Sequence, residues 1–133
     1  MKILNIKQIP IIAISILSLL STIVLASEAS DHLIKEYQKA GAGPFSEKAG
    51  QSLWEKKVEK RSCTNCHTMS VKNTGKHQRT HKEIKPMAPS VNPERLTDKK
   101  KIKKWLLRNC KWTFKRECTP QEKGDILTWL SQQ

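Results

Sequence analysis

The chain has 133 residues, of which 25 are Lys or Arg and 12 are Asp or Glu, so its formal net charge at pH 7 is +13. This length predicts one small basic domain and excludes a multidomain chain. The first 26 residues hold 17 of the hydrophobic residues, and the other 107 are only about 30% hydrophobic, which is lean for a core built from side chains alone.

The amino-terminal segment has the pattern of a secretory signal peptide. Lys2 and Lys7 precede an uncharged stretch, residues 8–27, that is rich in Ile and Leu and offers a small-residue cleavage site after Ala26. An uncleaved membrane anchor is the alternative, because the stretch approaches the roughly 20 residues that span a bilayer. Pro10 and the repeated serines favour cleavage.

We therefore assign residues 1–26 to a signal peptide and residues 27–133 to one mature domain of net charge +11. This assignment predicts export through the Sec pathway to the periplasm, with no stable membrane span after cleavage. It also argues against a nucleic-acid partner, which the positive charge alone would suit.

Two helices are predicted at the start of the mature domain. The first covers residues 31–39 and ends at a turn, residues 41–44. Ser46 is placed to cap a second helix that runs to about Lys57. The apolar residues at helical spacing are Leu33, Ile34 and Tyr37 in the first helix, and Ala49, Leu53 and Trp54 in the second.

The strongest chemical signal follows, in the motif Cys63-Thr64-Asn65-Cys66-His67. In a C-x-x-C-H arrangement the two thiols add to the two vinyl groups of one haem, and the adjoining imidazole ligates the iron. We therefore predict one covalent haem c, attached through Cys63 and Cys66, with His67 as the proximal axial ligand. The haem also adds the apolar contact that the composition lacks.

Two other kinds of site remain as alternatives for these cysteines. A zinc site would add His77 and His81 in a Cys-x2-Cys-x10-His-x3-His pattern, but the intervening segment lacks the apolar residues of a finger core. A thioredoxin-like dithiol would need strand and helix patterning around the motif, which is missing.

After the motif, residues 72–93 show hardly any apolar residue, a length of irregular chain that compact domains usually keep for function. A third helix is predicted over residues 97–110. Thr119 begins a capping box with Glu122, and Pro120 takes the first position of the last helix. The expected inner faces are Ile102, Trp105, Leu106 and Asn109 in the third helix, and Ile126, Leu127 and Leu130 in the last.

The second axial position of the iron has several candidates. Met87 is one because methionine is a common distal ligand. His77 and His81 lie among charged residues, which favours solvated loop histidines. Asn109 stands in an apolar row, where an amide is costly to bury without a partner. That partner is either the iron or, in the simpler interpretation, a haem propionate or a backbone group.

Cys110 and Cys118 remain after the haem takes two of the four cysteines. An even cysteine count in an exported chain favours a disulfide between them, closing a short loop between two helices. This bond would stabilise the fold by roughly 2 to 3 kcal/mol and fix the position of the neighbouring Asn109.

Four segments resemble the SHP-type monohaem cytochromes c: residues 82–89 (KEIKPMAP), 95–98 (RLTD), 105–110 (WLLRNC) and 118–123 (CTPQEK). The resemblance covers essentially the whole mature chain. It implies an all-α, class I-like cytochrome c fold, with helices packed around one covalent haem and a long irregular loop that wraps the haem. The family is related to cytochrome c double-prime.

The resemblance also implies the distal ligand. In the SHP type, an asparagine immediately before a disulfide cysteine ligates ferric iron and dissociates on reduction, and Asn109 before Cys110 matches that position. In cytochrome c double-prime, a histidine stands there. The position of Met87 is commonly leucine in the family, which assigns Met87 to packing.

These inferences predict an exported electron-transfer protein whose distal ligand is redox-switched. A neutral amide oxygen is a hard, weak donor that suits Fe(III) better than Fe(II), so reduction is expected to open the ferrous haem to O₂, NO or CO. Two alternatives stay open: an ordinary carrier with permanent Met87 ligation, and a haem enzyme acting on O₂, NO or peroxide, for which no clear acid–base pair is evident.

Five lysines predict the kind of redox partner. They surround the amino half of the helix that leads to Asn109, and a positive field there steers the docking of an acidic protein. A solvated helix face is the simpler interpretation. The resemblance implies electron exchange with a dihaem cytochrome c and a membrane cytochrome b. The lysines are Lys99, Lys100, Lys101, Lys103 and Lys104.

Overall fold

The computed structural model describes residues 28–133, so the predicted signal peptide and its cleavage site lie outside the described residues. Five helices and one two-stranded antiparallel hairpin make up this part of the chain, which confirms the all-α prediction. None of these helices combines the length and apolar character needed to cross a membrane. In chain order the elements are α1 (Glu28–Lys39), α2 (Glu47–Glu55), α3 (Thr64–His67), β1 (Gly75–Lys76), β2 (Glu83–Ile84), α4 (Lys99–Phe114) and α5 (Pro120–Ser131).

Helix α5 is the centre of the core, because both α1 and α2 pack against it. The predicted inner residues of α5 and α1 are buried except for the half-buried Ile34, with Leu127 at 1% exposure and Leu33 at 0%. Helix α2 crosses α5 at Gly50, where a Cβ atom would overlap the main chain at Asp125 and lie 2.8 Å from the Cβ of Trp129. Only glycine permits so close an approach of the two helices.

Several helix boundaries differ from the sequence prediction. Helix α1 begins three residues earlier, at Glu28, and α2 ends at Glu55 rather than Lys57. Helix α4 begins at Lys99, because Asp98 is its N-cap and accepts a 3.0 Å hydrogen bond from the Lys101 amide. It continues one turn beyond the predicted end and stops at Lys115, whose φ of 60° is left-handed.

The hairpin lies inside the segment that the sequence predicts to be irregular. Its register pairs Gly75 with Ile84 and Lys76 with Glu83. At Gly75, a side chain would overlap the main-chain carbonyl of Cys66. The hairpin is therefore packed directly against the haem-binding motif.

The capping box of α5 is present as predicted. The Thr119 hydroxyl accepts from the Glu122 amide at 3.2 Å, and the Glu122 carboxylate accepts from the Thr119 amide at 2.8 Å. Arg116 donates two further bonds to this carboxylate, at 2.7 and 2.6 Å. The hydrogen bond from Arg116 is the main cause that lowers the pKa of Glu122 to about 2.

We expect Glu122→Gln to lower the free energy of unfolding at pH 7 by roughly 1 kcal/mol, because the neutral amide loses the charged hydrogen bonds from Arg116 while it can still complete the capping box. The pKa of Glu122 is about 2 in the folded protein, below the value of about 4.3 in an unfolded chain. The stabilisation is therefore complete above about pH 4.3 and is lost as the pH falls toward about 2. Denaturant unfolding of both proteins across this range should show their difference shrinking with acidity.

The matched control is Glu117→Gln, because Glu117 forms an exposed ion pair with Lys111 at 3.1 Å. Such a pair contributes little to stability. A Glu122→Gln effect that stays constant with pH would contradict the proposed role of the charged carboxylate.

Candidate haem site

The haem-binding motif forms a single helical turn, α3. Cys63 has helical dihedrals (φ −61°, ψ −33°), and the His67 amide donates to the Cys63 carbonyl at 3.1 Å, which closes the turn. Residues three apart on a helix share a face, so the thiols of Cys63 and Cys66 lie on the same side. Neither forms a disulfide. Asn65 fixes the turn by donating to the Lys60 carbonyl at 2.9 Å.

The imidazole of His67 is held by a row of aromatic rings that are tilted against one another. Its centroid lies 5.2 Å from that of Trp54, which in turn lies 5.5 Å from that of Trp129. The Nδ1 atom of His67 is buried and has no hydrogen-bond partner among residues 28–133. Burial lowers the pKa of His67 to about 4, and the positive charge of Arg95 contributes. The ring is therefore neutral at pH 7, which is the form that binds a metal.

Helix α4 contacts Arg61 and Cys63, at the start of the haem-binding motif. Burial raises the pKa of the Cys63 thiol to about 11, and the nearby Thr113 hydroxyl partly opposes this rise. The hydroxyl itself is buried, without a partner at hydrogen-bonding geometry. One residue earlier on α4, the Trp112 carbonyl accepts from Arg61 Nη1 at 3.0 Å, and the Arg61 guanidinium lies 5.1 Å from the Trp112 ring centroid. The carboxyl-terminal half of α4 therefore faces the first haem cysteine.

Asn109 lies on the inner face of α4, four residues before Thr113, which places the two side chains on the same face about one helical turn apart. Ile102, at 7% exposure, and the half-buried Leu106 continue this face toward the amino end. Asn109 is half-buried, and its amide makes no hydrogen bond to the described part of the chain. The predicted inner face is correct except for Trp105, which lies at the edge of this face and is 49% exposed.

The predicted disulfide is present between Cys110 and Cys118, whose Cα atoms are 5.6 Å apart. Each cysteine is only 3% exposed. The bracketed segment is not simply a loop, because its first four residues complete α4. The bond therefore fastens the last turns of α4 to the start of α5, next to Asn109.

The other distal candidates have different surroundings. Met87 packs against the hydrophobic core, and its amide donates to the Val71 carbonyl at 2.8 Å. His77 and His81 are exposed, and His77 Nδ1 accepts from the Thr80 amide at 3.1 Å. Among residues 28–133, no group of three or more His, Cys, Asp and Glu side chains is arranged to hold a metal ion.

Arg95 is a residue of the site that sequence reasoning missed. Its Nε donates to the Pro86 carbonyl at 2.7 Å, and its Nη2 donates to the Lys85 carbonyl at 2.6 Å. Asn92 donates to the same Pro86 carbonyl at 2.9 Å. Both side chains fix the loop near His67 through backbone acceptors, which leave no pattern in the sequence.

The residues of this site fit a covalently attached haem. Two unpaired thiols share one side of a helical turn, and a neutral imidazole with an unpartnered buried nitrogen follows them. The mostly apolar face of α4 adds the amide of Asn109, which makes no hydrogen bond to the side chains and backbone of residues 28–133. These are the donors that thioether attachment and axial ligation require.

Comparison with known proteins agrees with this chemistry. The model of a domain of unknown function, DUF1924, matches residues 40–130. The cytochrome c-type protein SHP of Cereibacter sphaeroides is 42% identical over 115 residues, covering 82% of this chain and 88% of the relative. Cytochrome c'' of Methylophilus methylotrophus is 38% identical over 69 residues, covering 52% and 48%.

Solved structures show the same fold. Oxidised SHP, described as an oxygen-binding cytochrome c, superposes with a TM-score of 0.73 at 40% identity, covering 80% of this chain and 99% of the other. Oxidised cytochrome c'' of Methylophilus methylotrophus gives a TM-score of 0.67 at 28% identity, covering 77% and 92%.

We expect acid–acetone extraction to leave the haem on the holoprotein, because thioether bonds to Cys63 and Cys66 survive this treatment. The double variant Cys63→Ser/Cys66→Ser should release any haem it binds into the organic phase. A variant lacking the disulfide, Cys110→Ser/Cys118→Ser, is the matched control and should keep its haem. Colour leaving the wild-type protein would refute the assignment.

Thiol titration tests the disulfide separately. The denatured, unreduced holoprotein should show essentially no free thiol, since Cys63 and Cys66 are in thioethers and Cys110 is bonded to Cys118. After reduction, two thiols should react. Two reactive thiols before reduction would contradict the bond.

Proposed function

Because this chain belongs to the SHP family of monohaem cytochromes c, whose cofactor is one covalently bound haem c, we propose that it transfers electrons with Asn109 as a redox-switched distal ligand. Asn109 would hold the ferric iron and would leave it on reduction, so that the ferrous iron would be open to O₂, NO or CO. His67 would hold the iron in both oxidation states.

The placement of Asn109 is the observation that carries this proposal. The residue lies one turn before Thr113, whose hydroxyl is close to the thiol of Cys63. Its half-buried amide has no hydrogen bond to the described residues, so no protein contact has to break for it to reach a ligand. Of the two simpler interpretations, a bond to a backbone group is not found among residues 28–133, and a bond to a haem propionate stays an alternative.

The chemistry of an amide explains why ligation depends on oxidation state. The haem supplies reversible one-electron transfer at its iron. The neutral side-chain oxygen of Asn109 is a hard donor, which favours the more highly charged ferric ion. Because the amide binds ferric iron more strongly than ferrous iron, reduction shifts the equilibrium between bound and released side chain toward the released form.

Other residues restrict how far Asn109 moves once released. The buried disulfide from Cys110 holds the next residue of α4, and Arg61 holds the helix at Trp112. Release therefore involves the side chain and a small adjustment of α4 rather than unwinding. On the proximal side, the ring of Trp54 limits rotation of His67.

The main alternative is a carrier with permanent Met87 ligation. Met87 packs against the core, and its amide is anchored to Val71. These contacts support a packing role. The enzyme alternative has no specific support either, since its acid–base candidates His77 and His81 are exposed.

We place this activity in the periplasm. The amino-terminal pattern and the similarity to c-type relatives support export. The proposed partners are redox proteins, among which the family resemblance favours a dihaem cytochrome c and a membrane cytochrome b.

Asn109→Ala tests the switch directly, because it removes the donor with little effect on helix propensity. We expect the ferric spectrum to shift toward high-spin or water-ligated iron, while the ferrous spectrum stays nearly unchanged. The control, Met87→Leu, keeps the apolar volume and should change neither spectrum much. Absorption spectra of both oxidation states provide the measurement.

The opposite pattern would overturn the proposal. If Met87→Leu abolishes a low-spin ferrous species that Asn109→Ala leaves intact, Met87 is the permanent ligand. Binding of CO to the wild-type ferrous protein separates the two functions again, since a permanently six-coordinate haem binds CO poorly.

A further inference from the structure

The outer face of α4 is strongly basic. Five exposed side chains share the side of the helix that points away from the inner face carrying Asn109. We call them the basic face: Lys100, Lys101, Lys104, Arg108 and Lys111.

Three members of the basic face have no acidic partner among residues 28–133. The other two are paired, Lys101 with Asp98 at 3.9 Å and Lys111 with Glu117 at 3.1 Å. By contrast, Lys100, Lys104 and Arg108 have no carboxylate within ion-pairing distance anywhere in residues 28–133. Their charges are therefore available to a partner.

An exposed indole lies at one edge of the basic face. Trp105 is 49% exposed, with the ammonium of Lys104 and the guanidinium of Arg108 at 5.5 and 5.1 Å from its ring centroid. On the opposite edge Leu107 is 37% exposed. Tryptophan and arginine are enriched among the residues that dominate binding energy at protein interfaces, and an apolar patch with a charged rim is the usual anatomy of an interface.

The stability of α4 does not explain this charge. The first turn of α4 contains no acidic residue and begins with three lysines. Cations are unfavourable at the amino end of a helix, where the helix dipole is positive. The lysines therefore oppose the helix that carries them, which indicates a role in binding.

We propose that the basic face of α4 is the docking surface for an acidic redox protein. Carboxylates of the partner would pair with Lys100, Lys104 and Arg108, while Trp105 supplies the apolar contact. The partner would then sit on the helix whose inner face carries Asn109. This inference rests on the proposed electron-transfer function but not on the identity of the distal ligand.

The test uses the holoprotein and reduced flavodoxin, an acidic one-electron donor, in stopped-flow experiments at several salt concentrations. The variant Lys100→Glu/Lys104→Glu should lower the second-order rate at low salt by roughly tenfold and flatten its salt dependence. The control Lys48→Glu/Lys72→Glu makes the same charge change at exposed positions outside α4 and should retain the wild-type rate. Hydroquinone, a small uncharged reductant, should reduce all three proteins equally.

Two results would overturn the proposal: equal rates for the α4 variant and wild type, or an equal loss in the control. Sedimentation with anionic phosphatidylglycerol vesicles is the second measurement. Loss of vesicle binding in the α4 variant, together with unchanged flavodoxin kinetics, would assign the face to a lipid surface instead. The spectra of Asn109→Ala are independent of all these rates, so failure of the switch and failure of docking are distinguishable.

Discussion

The crossing of α2 over α5 at Gly50 determines where the imidazole of His67 lies. The absence of a side chain at Gly50 brings α2 against the main chain at Asp125 and against Trp129. At this distance Trp129 meets Trp54, and Trp54 meets His67. One glycine thus positions the imidazole through two indoles in contact, and a larger residue would push α2 and Trp54 away from α5.

A second set of contacts positions the carboxyl-terminal half of α4, which carries Asn109. Arg61 and Cys63, at the entrance to the motif, lie against Trp112 and Thr113 at the end of α4. The disulfide from Cys110 fastens the same helix to the start of α5. The two sides of the haem site are therefore built on one frame, in which α5 supports α2 directly and α4 through a covalent bond.

Much of this organisation was predictable because it depends on local patterns. The capping box at Thr119 and the apolar spacing of α1 and α5 each reflect interactions within a few residues of the chain. The end of α4 was predicted wrongly because the helix stops at Lys115 in a left-handed conformation, where glycine or asparagine would have been the usual signal. Arg95 escaped prediction because its partners are backbone carbonyls. The exposure of Trp105 depends on tertiary packing, which a helical period does not reveal.

The burial of the disulfide has a consequence for the chemistry of the protein in a reducing environment. Thiol–disulfide exchange requires a thiolate to reach a sulfur atom, and both Cys110 and Cys118 are 3% exposed. Thiol reductants are thus kept from the bond while the fold is intact. Cleavage of the bond that holds α4 by such a reductant therefore requires the fold to open first.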